Sequence, residues 1–308
     1  MLTRRRLIAI SAAMAASSWA GIAQARSTTR LWTGQALGAR ASIRLDHPQA
    51  EAIAARVFAE IDRLEDILSL YRANSALSRL NRDGRLDSPP FELLECLSAA
   101  GAVHAASGGR FDPTVQPLWR LWAEAAAVGK KPTDAAIERA RLHVGWEKVT
   151  VSPAAIVMKP GMSLTLNGIG QGYVADRVAA LLEAEGLNDI LIDTGEFRAL
   201  GGQPDGGDWP MLLEAGTRLG LRQRALATSS PLGTTFDQAG HDGHILDPAT
   251  GRPVRQVWGS VSVSAPSAAI ADALSTASCL MPDEVSIVSM TRHFLDVRCE
   301  AAALNVRS

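Results

Sequence analysis

Residues 163–193 constrain the fold of this chain more than any other stretch. Residues 163–167 read as a strand, and Gly168, Gly170 and Gly172 follow directly. Residues 173–185 carry a helical pattern that Gly186 stops, and residues 190–193 read as the next strand. A strand, a glycine loop, a helix and a strand in that order rule out both an all-helical bundle and an all-β sandwich. The rest of the chain agrees. Residues 41–45 are strand-like. From Glu51 to Tyr71 apolar side chains recur at Ile53, Val57, Ile61, Leu64 and Leu68, the gaps of three and four that give a helix one apolar face. Ser88-Pro89-Pro90 opens a second helix to about Ser107, where Gly108-Gly109 ends it, and Thr133 caps a short helix to Leu142. Residues 149–151 and 155–159 are β-like. Residues 258–265 alternate Val261 and Val263 with Ser262 and Ser264, which predicts a half-buried strand, and an Ala-rich helical run follows over 266–281. The mixture predicts an α+β fold, and no Pro/Gly/Ser linker divides the chain into two domains.

The first residues read as an address. Arg4, Arg5 and Arg6 precede an apolar run over 7–21, and Ala23-Gln24-Ala25 offers a small-x-small cleavage site, so residues 1–25 are expected to be a signal peptide. Thr3-Arg4-Arg5-Arg6-Leu7-Ile8 is similar to the twin-arginine export motif; a Sec signal with three arginines is the other reading. Residues 26–308 are then the functional domain, expected in the periplasm. With 31 Lys and Arg against 32 Asp and Glu, the formal charge of −1 lacks the basic field that nucleic acid requires. No run of about 20 apolar residues lies in the body of the chain, so no transmembrane anchor is expected in the mature protein. Cys96, Cys279 and Cys299 lack the paired spacing of a zinc site. Export allows a Cys279–Cys299 disulfide, and two buried thiols are the alternative.

Four stretches carry side chains suited to chemistry, and each has a plain structural alternative. In Asn167-Gly168-Ile169-Gly170-Gln171-Gly172-Tyr173, glycines before a helix let backbone N–H groups approach phosphate, or they make an ordinary tight turn. In Gly243-His244-Ile245-Leu246-Asp247-Pro248-Ala249-Thr250-Gly251, His244 and Asp247 share base, orienting or metal roles, or Asp247 merely caps a β-turn. Asp272 and Thr276 stand at i and i+4, a carboxylate and a hydroxyl on one helical face; the pair suits Mg2+, or belongs to a solvated face. In Ser107-Gly108-Gly109-Arg110-Phe111-Asp112-Pro113-Thr114-Val115, Arg110 can meet phosphate and Phe111 can stack on a flat ring, or the stretch is an exposed turn packed down by Phe111.

Together, in this order and spacing, these stretches resemble the ApbE family, the FAD:protein FMN transferases. The resemblance runs from about Leu37 to Met281. Leu68-Ser69-Leu70-Tyr71 with Ser75-Ala76-Leu77-Ser78-Arg79-Leu80-Asn81 is similar to one family motif, and Ala227-Thr228-Ser229 to another. The segments 108–118, 168–173, 244–251 and 271–276 are similar to four more. The resemblance implies a single T-fold-like α+β domain of mixed β-sheets flanked by helices. It also implies a periplasmic, Mg2+-dependent enzyme that transfers the FMN half of FAD to a Ser or Thr hydroxyl of a client flavoprotein and releases AMP. The implied client is a membrane electron-transfer subunit.

By the same resemblance, Leu37, Tyr71, Arg110, Phe111, Asp112, Gln171 and Thr228 bind FAD. Gly168 and Ser275 give backbone carbonyls to the metal, and Asp272 and Thr276 give side chains. His244 is the catalytic imidazole, with Asp247 orienting it or acting as base itself. The sequence departs from the family pattern in places. Gln171 stands where Lys or Glu is common, Thr194-Gly195-Glu196 where a G-G-D turn is common, Ser230 where the T-S-G turn has its glycine, and Thr165 at an often acidic position. Two alternatives share the motifs: an FAD pyrophosphatase, in which water replaces the client hydroxyl, and a non-catalytic periplasmic FAD carrier. Retention of Asp272, Thr276 and His244 favours an enzyme.

Overall fold

The computed structural model describes residues 30–45, 47–214, 216–255 and 257–304, so the expected leader lies outside the described residues. A hairpin, β1 (Arg30–Ala36) and β2 (Ala39–Leu45), precedes helices α1 (Ala50–Leu68) and α2 (Ala76–Asp83). Then come β3 (Arg85–Asp87), α3 (Phe91–Ala106), α4 (Gln116–Ala127), α5 (Asp134–Arg141), β4 (Thr150–Val151) and β5 (Ala155–Val157). Helix α6 (Gly170–Ala184) leads into β6 (Ile190–Asp193), β7 (Phe197–Leu200), β8 (Trp209–Leu212), β9 (Arg218–Leu221) and β10 (Ala225–Ser229). The chain ends with β11 (Leu246–Asp247), β12 (Arg252–Pro253), β13 (Trp258–Ala265), α7 (Ala268–Ser278), α8 (Glu284–Thr291) and β14 (Arg298–Leu304). The α+β class is the one expected. Seven strands form the main sheet in the order β1-β2-β6-β7-β10-β13-β14. Every ladder in it is antiparallel among the described residues.

The apolar stripe of α1 is buried as its spacing predicts, and the helix stops at Leu68 because Ser69 turns extended. On one face of the sheet Ile43, Ile192, Ala227, Val261 and Val263 join α1, α6 and α7 in the main core. On the other, Leu191, Ala199 and Leu226 meet Trp209, Met211 and Leu221 of the β8–β9 hairpin. Hence β13 differs from expectation: Ser262 and Ser264 are as buried as Val261 and Val263. Their hydroxyls are satisfied, Ser262 by Thr228 Oγ1 at 2.8 Å and Ser264 by Glu300 and by Arg224 Nη2 at 3.1 Å.

A second difference concerns residues 163–167. Residues 163–166 join no strand, and Asn167 already belongs to the turn before α6. The Asn81 amide takes the place of a neighbouring strand, donating to the Leu164 carbonyl at 2.8 Å and accepting from its N–H at 2.7 Å. Pro113 accepts the Thr165 N–H at 2.8 Å. The α6 helix also begins at Gly170, inside the glycine run. Cys96, Cys279 and Cys299 are free thiols. A satellite cluster of Leu118, Trp119, Trp122, Ile137, Phe236 and Leu246 packs α4 and α5 together. No described helix is long and apolar enough to cross a membrane.

Candidate active site

A cleft of about 1300 Å³, open mouth included, lies where the main core meets the satellite cluster. Leu37, Leu68, Tyr71, Phe111, Trp119 and Leu166 make its apolar wall. Gly168, Gln171, Glu196, Ser229, Asp272 and Thr276 line it with polar groups, as do Thr234 and His244.

The apolar wall is held by polar fastenings. Leu37 and Gly38 form a two-residue hairpin turn with φ of 49° and 86°, the left-handed pair that a tight hairpin needs. Such a φ is costly for leucine, and the Leu37 N–H is tied down by Glu65 Oε1 at 2.7 Å. The other oxygen of Glu65 accepts Arg72 Nε at 2.9 Å, so one carboxylate of α1 braces both the hairpin tip and the loop carrying Tyr71. Across the cleft, Ser107 Oγ accepts the Phe111 N–H at 3.0 Å, and His104 Nδ1 donates to the Phe111 carbonyl at 2.9 Å. Asp112 Oδ1 accepts the Thr114 N–H at 2.8 Å and its hydroxyl at 2.6 Å, a cap for the turn Pro113–Val115. Arg110 Nη1 donates to the Leu280 carbonyl at 3.3 Å.

The oxygen-rich side of the cleft is built by the contact of α6 with α7. Gly172 makes that contact possible, because a Cβ there would lie 2.2 Å from the Ala268 carbonyl oxygen. Its N–H donates to Asp272 Oδ2 at 3.0 Å. Asp176 of α6 caps α7, accepting the N–H groups of Ala268 at 2.8 Å and Ala269 at 3.0 Å. Asp272 is only 3% exposed. Thr276, one turn on, sits beside Gly168, whose added Cβ would lie 3.1 Å from its Oγ1. Ser229 Oγ bonds Thr276 Oγ1 at 3.1 Å and Ser275 Oγ at 2.7 Å. Glu196, 6% exposed, accepts the Thr228 N–H at 3.3 Å. Burial, then the charge of Asp272, pushes the Glu196 carboxyl well above its usual range. Burial likewise raises Asp272, against the Gly172 N–H that favours its charge. No cluster of three His, Cys, Asp or Glu side chains forms a metal cage among the described residues. The donor set does fit Mg2+, which needs only one or two protein carboxylates and keeps other oxygen ligands.

His244 comes from the opposite wall. Its backbone N–H and its Nδ1 both meet the Thr234 carbonyl, at 3.0 and 3.1 Å. A carbonyl only accepts, so Nδ1 carries the proton and Nε2 keeps its lone pair. Burial lowers the His244 pKa, outweighing the carbonyls of Thr234 and Pro231 that raise it.

Of the residues singled out in the sequence, Leu37, Tyr71, Arg110, Phe111, Asp112, Gly168, Gln171, His244, Asp272 and Thr276 meet in this cleft. Three stand elsewhere. Asp247 does not orient His244: its Oδ1 accepts the Ala249 N–H at 2.9 Å and its Oδ2 the Thr250 hydroxyl at 3.3 Å, as the turn-capping alternative requires. Thr228 points to the opposite face of β10, bonding Ser262, because neighbouring strand residues alternate. Ser275 lies behind the cleft wall, its hydroxyl on the Asp272 carbonyl at 2.9 Å. Glu196, Ser229 and Thr234 were not anticipated as site residues. Glu196 had a signal in its departure from the G-G-D turn, and Ser229 in strand alternation; Thr234 had none.

The sequence profile of the ApbE family matches residues 37–298. The chain is 32% identical to an FAD:protein FMN transferase of Vibrio cholerae over 249 residues, 73% of either chain. It is 33% identical to one of Klebsiella pneumoniae over 233 residues, 69% of this chain and 70% of that one. The apo form of the Pseudomonas stutzeri flavinyl transferase ApbE superimposes with a TM-score of 0.75 at 27% identity, covering 88% of this chain and 92% of that one. The flavin transferase ApbE of Vibrio cholerae gives a TM-score of 0.72 at 25% identity, covering 85% of this chain and 90% of that one.

Proposed function

The chain belongs to the ApbE family, and on that premise we propose that it transfers the FMN half of FAD to a Ser or Thr hydroxyl of a client flavoprotein, releasing AMP. One observation carries this reading: a buried oxygen cluster and the His244 imidazole line one cleft with an apolar wall.

Leu37, Tyr71 and Phe111 offer apolar contact to the flavin, while Arg110 and Gln171 supply donors for the phosphates. Asp272 and Thr276 would hold Mg2+ by their side chains, with the Gly168 carbonyl as a further ligand. When bound, the ion neutralises pyrophosphate charge. The client oxygen bonds to the FMN phosphorus, and the bond from that phosphorus to the bridging oxygen breaks. The electron pair leaves with AMP, and the hydroxyl proton passes to His244 Nε2. The Thr234 carbonyl keeps the imidazole in the required tautomer and stabilises the cation it becomes. Residues 1–25 act as an export leader, residues 26–308 as the transferase domain, and the client is a membrane electron-transfer subunit met in the periplasm.

The test is incubation with FAD, Mg2+ and candidate clients, followed by mass spectrometry. A client mass gain matching FMN, with AMP released, is expected. Free FMN and AMP with an unmodified client would instead mean hydrolysis. In the same assay at saturating FAD, His244→Ala is expected to lose about 10²–10⁴-fold in rate with little change in FAD affinity. Transfer at near wild-type rate would remove His244 from the mechanism.

A further inference from the structure

We infer that the Thr234 hydroxyl is a further substrate contact, donating a hydrogen bond to a phosphoryl oxygen of the FAD pyrophosphate; this rests on the transferase reading above. Thr234 lines the cleft together with His244 and is 7% exposed. Its Oγ1 is buried and has no hydrogen-bond partner among the described residues. The neighbouring cleft hydroxyls differ: Ser229 is paired with Ser275 and Thr276, and Ser230 donates to the Gly259 carbonyl at 2.6 Å. A buried hydroxyl left unpaired destabilises the free protein, and its persistence in a cleft calls for a ligand that completes it.

The backbone of Thr234 narrows which ligand group that is. Its carbonyl anchors His244, so its hydroxyl is carried by the residue that also sets the base. Two kinds of oxygen come to such a place, the attacking hydroxyl of the client and the phosphoryl oxygens of FAD. The attacking oxygen surrenders its proton to His244 and a lone pair to phosphorus. The phosphoryl oxygens carry negative charge and can only accept, so they need donors. A neutral hydroxyl in want of an acceptor answers that need.

Thr234→Val keeps the side-chain shape and removes the hydroxyl, while Thr234→Ser keeps the hydroxyl. Thermal melting without ligand and titrations with FAD and with riboflavin, which lacks phosphate, are to be compared in the wild type and both variants. The Val variant is expected to melt at or above the wild-type temperature and to bind FAD about tenfold or more weakly. Its riboflavin affinity should be unchanged, and the Ser variant should recover FAD binding. Unchanged FAD affinity in the folded Val variant would overturn the contact. An equal loss for riboflavin would do so too, by moving the contact to the flavin ring. A Val variant that melts several degrees lower would show that the hydroxyl is already paired in the free protein, against the inference. Wild-type protein that binds FAD but modifies no client would defeat the transferase reading, while a phosphate-specific loss in the Val variant would still uphold the contact.

Discussion

Glu196 and Asp272 show what single residues cost and contribute here. Burial raises both carboxyls, Glu196 above its ordinary value near 4.5. An acid with a raised folded-state pKa contributes stability that is fully present below the ordinary value and lost as pH rises through the folded one. The ligand-free protein is therefore least favoured by this pair at neutral and alkaline pH. Glu196→Gln keeps an acceptor for the Thr228 N–H and removes the charge. It should raise the melting temperature at about pH 8, by about 2–4 °C per kcal/mol recovered, and leave it unchanged at about pH 4. Melting curves at the two pH values decide the matter; an equal shift at both would mean that charge is not the cause. This carboxylate was hard to read as a site residue, because a glutamate after Thr194-Gly195 looks like an ordinary polar turn until the fold buries it against Asp272. The reverse holds for Asp247, whose spacing from His244 suggested partnership while its oxygens cap their own turn.

At the scale of elements, the joint between α6 and α7 sets the site. The glycine run was legible as a helix entrance, but its role is closer to packing than to a free phosphate loop. Gly172 lets α6 touch the first turn of α7, and Asp176 caps that turn from the side. Because the obstacle to a Cβ at Gly172 is backbone, no side chain can move aside. Gly172→Ala should cost about 1–3 kcal/mol or more in stability and displace Asp272, weakening any stabilisation by added Mg2+. Urea unfolding with and without Mg2+ checks this, and wild-type values in both would show that the joint tolerates the methyl group. The helix α1 was readable because a stripe of period 3.6 depends only on near neighbours. The serines of β13 were not, since the hairpin over the far face of the sheet comes from a distant part of the chain.

For the whole molecule, the proposed export route is itself testable. Changing Arg4 and Arg5 together to Lys should hold the precursor in the cytoplasm if it uses the twin-arginine route. Fractionation reads the outcome, and normal periplasmic delivery would point to Sec. The sequence by itself determined the α+β class, the helix α1, the cap at Thr133 and the order of the motif segments, all of which rest on local spacing or local chemistry. It also brought Asp272 and Thr276 onto one helical face. Only the tertiary structure decided that Ser229 rather than Thr228 faces the cleft, that an Asn81 side chain stands in for a strand beside residues 163–167, and that Thr234 holds His244 while its own hydroxyl has no partner among the described residues. The physical reason is that hydrogen-bond partners and burial belong to residues distant in the chain. Local pattern says which side chains can share a face, and packing alone says what that face meets.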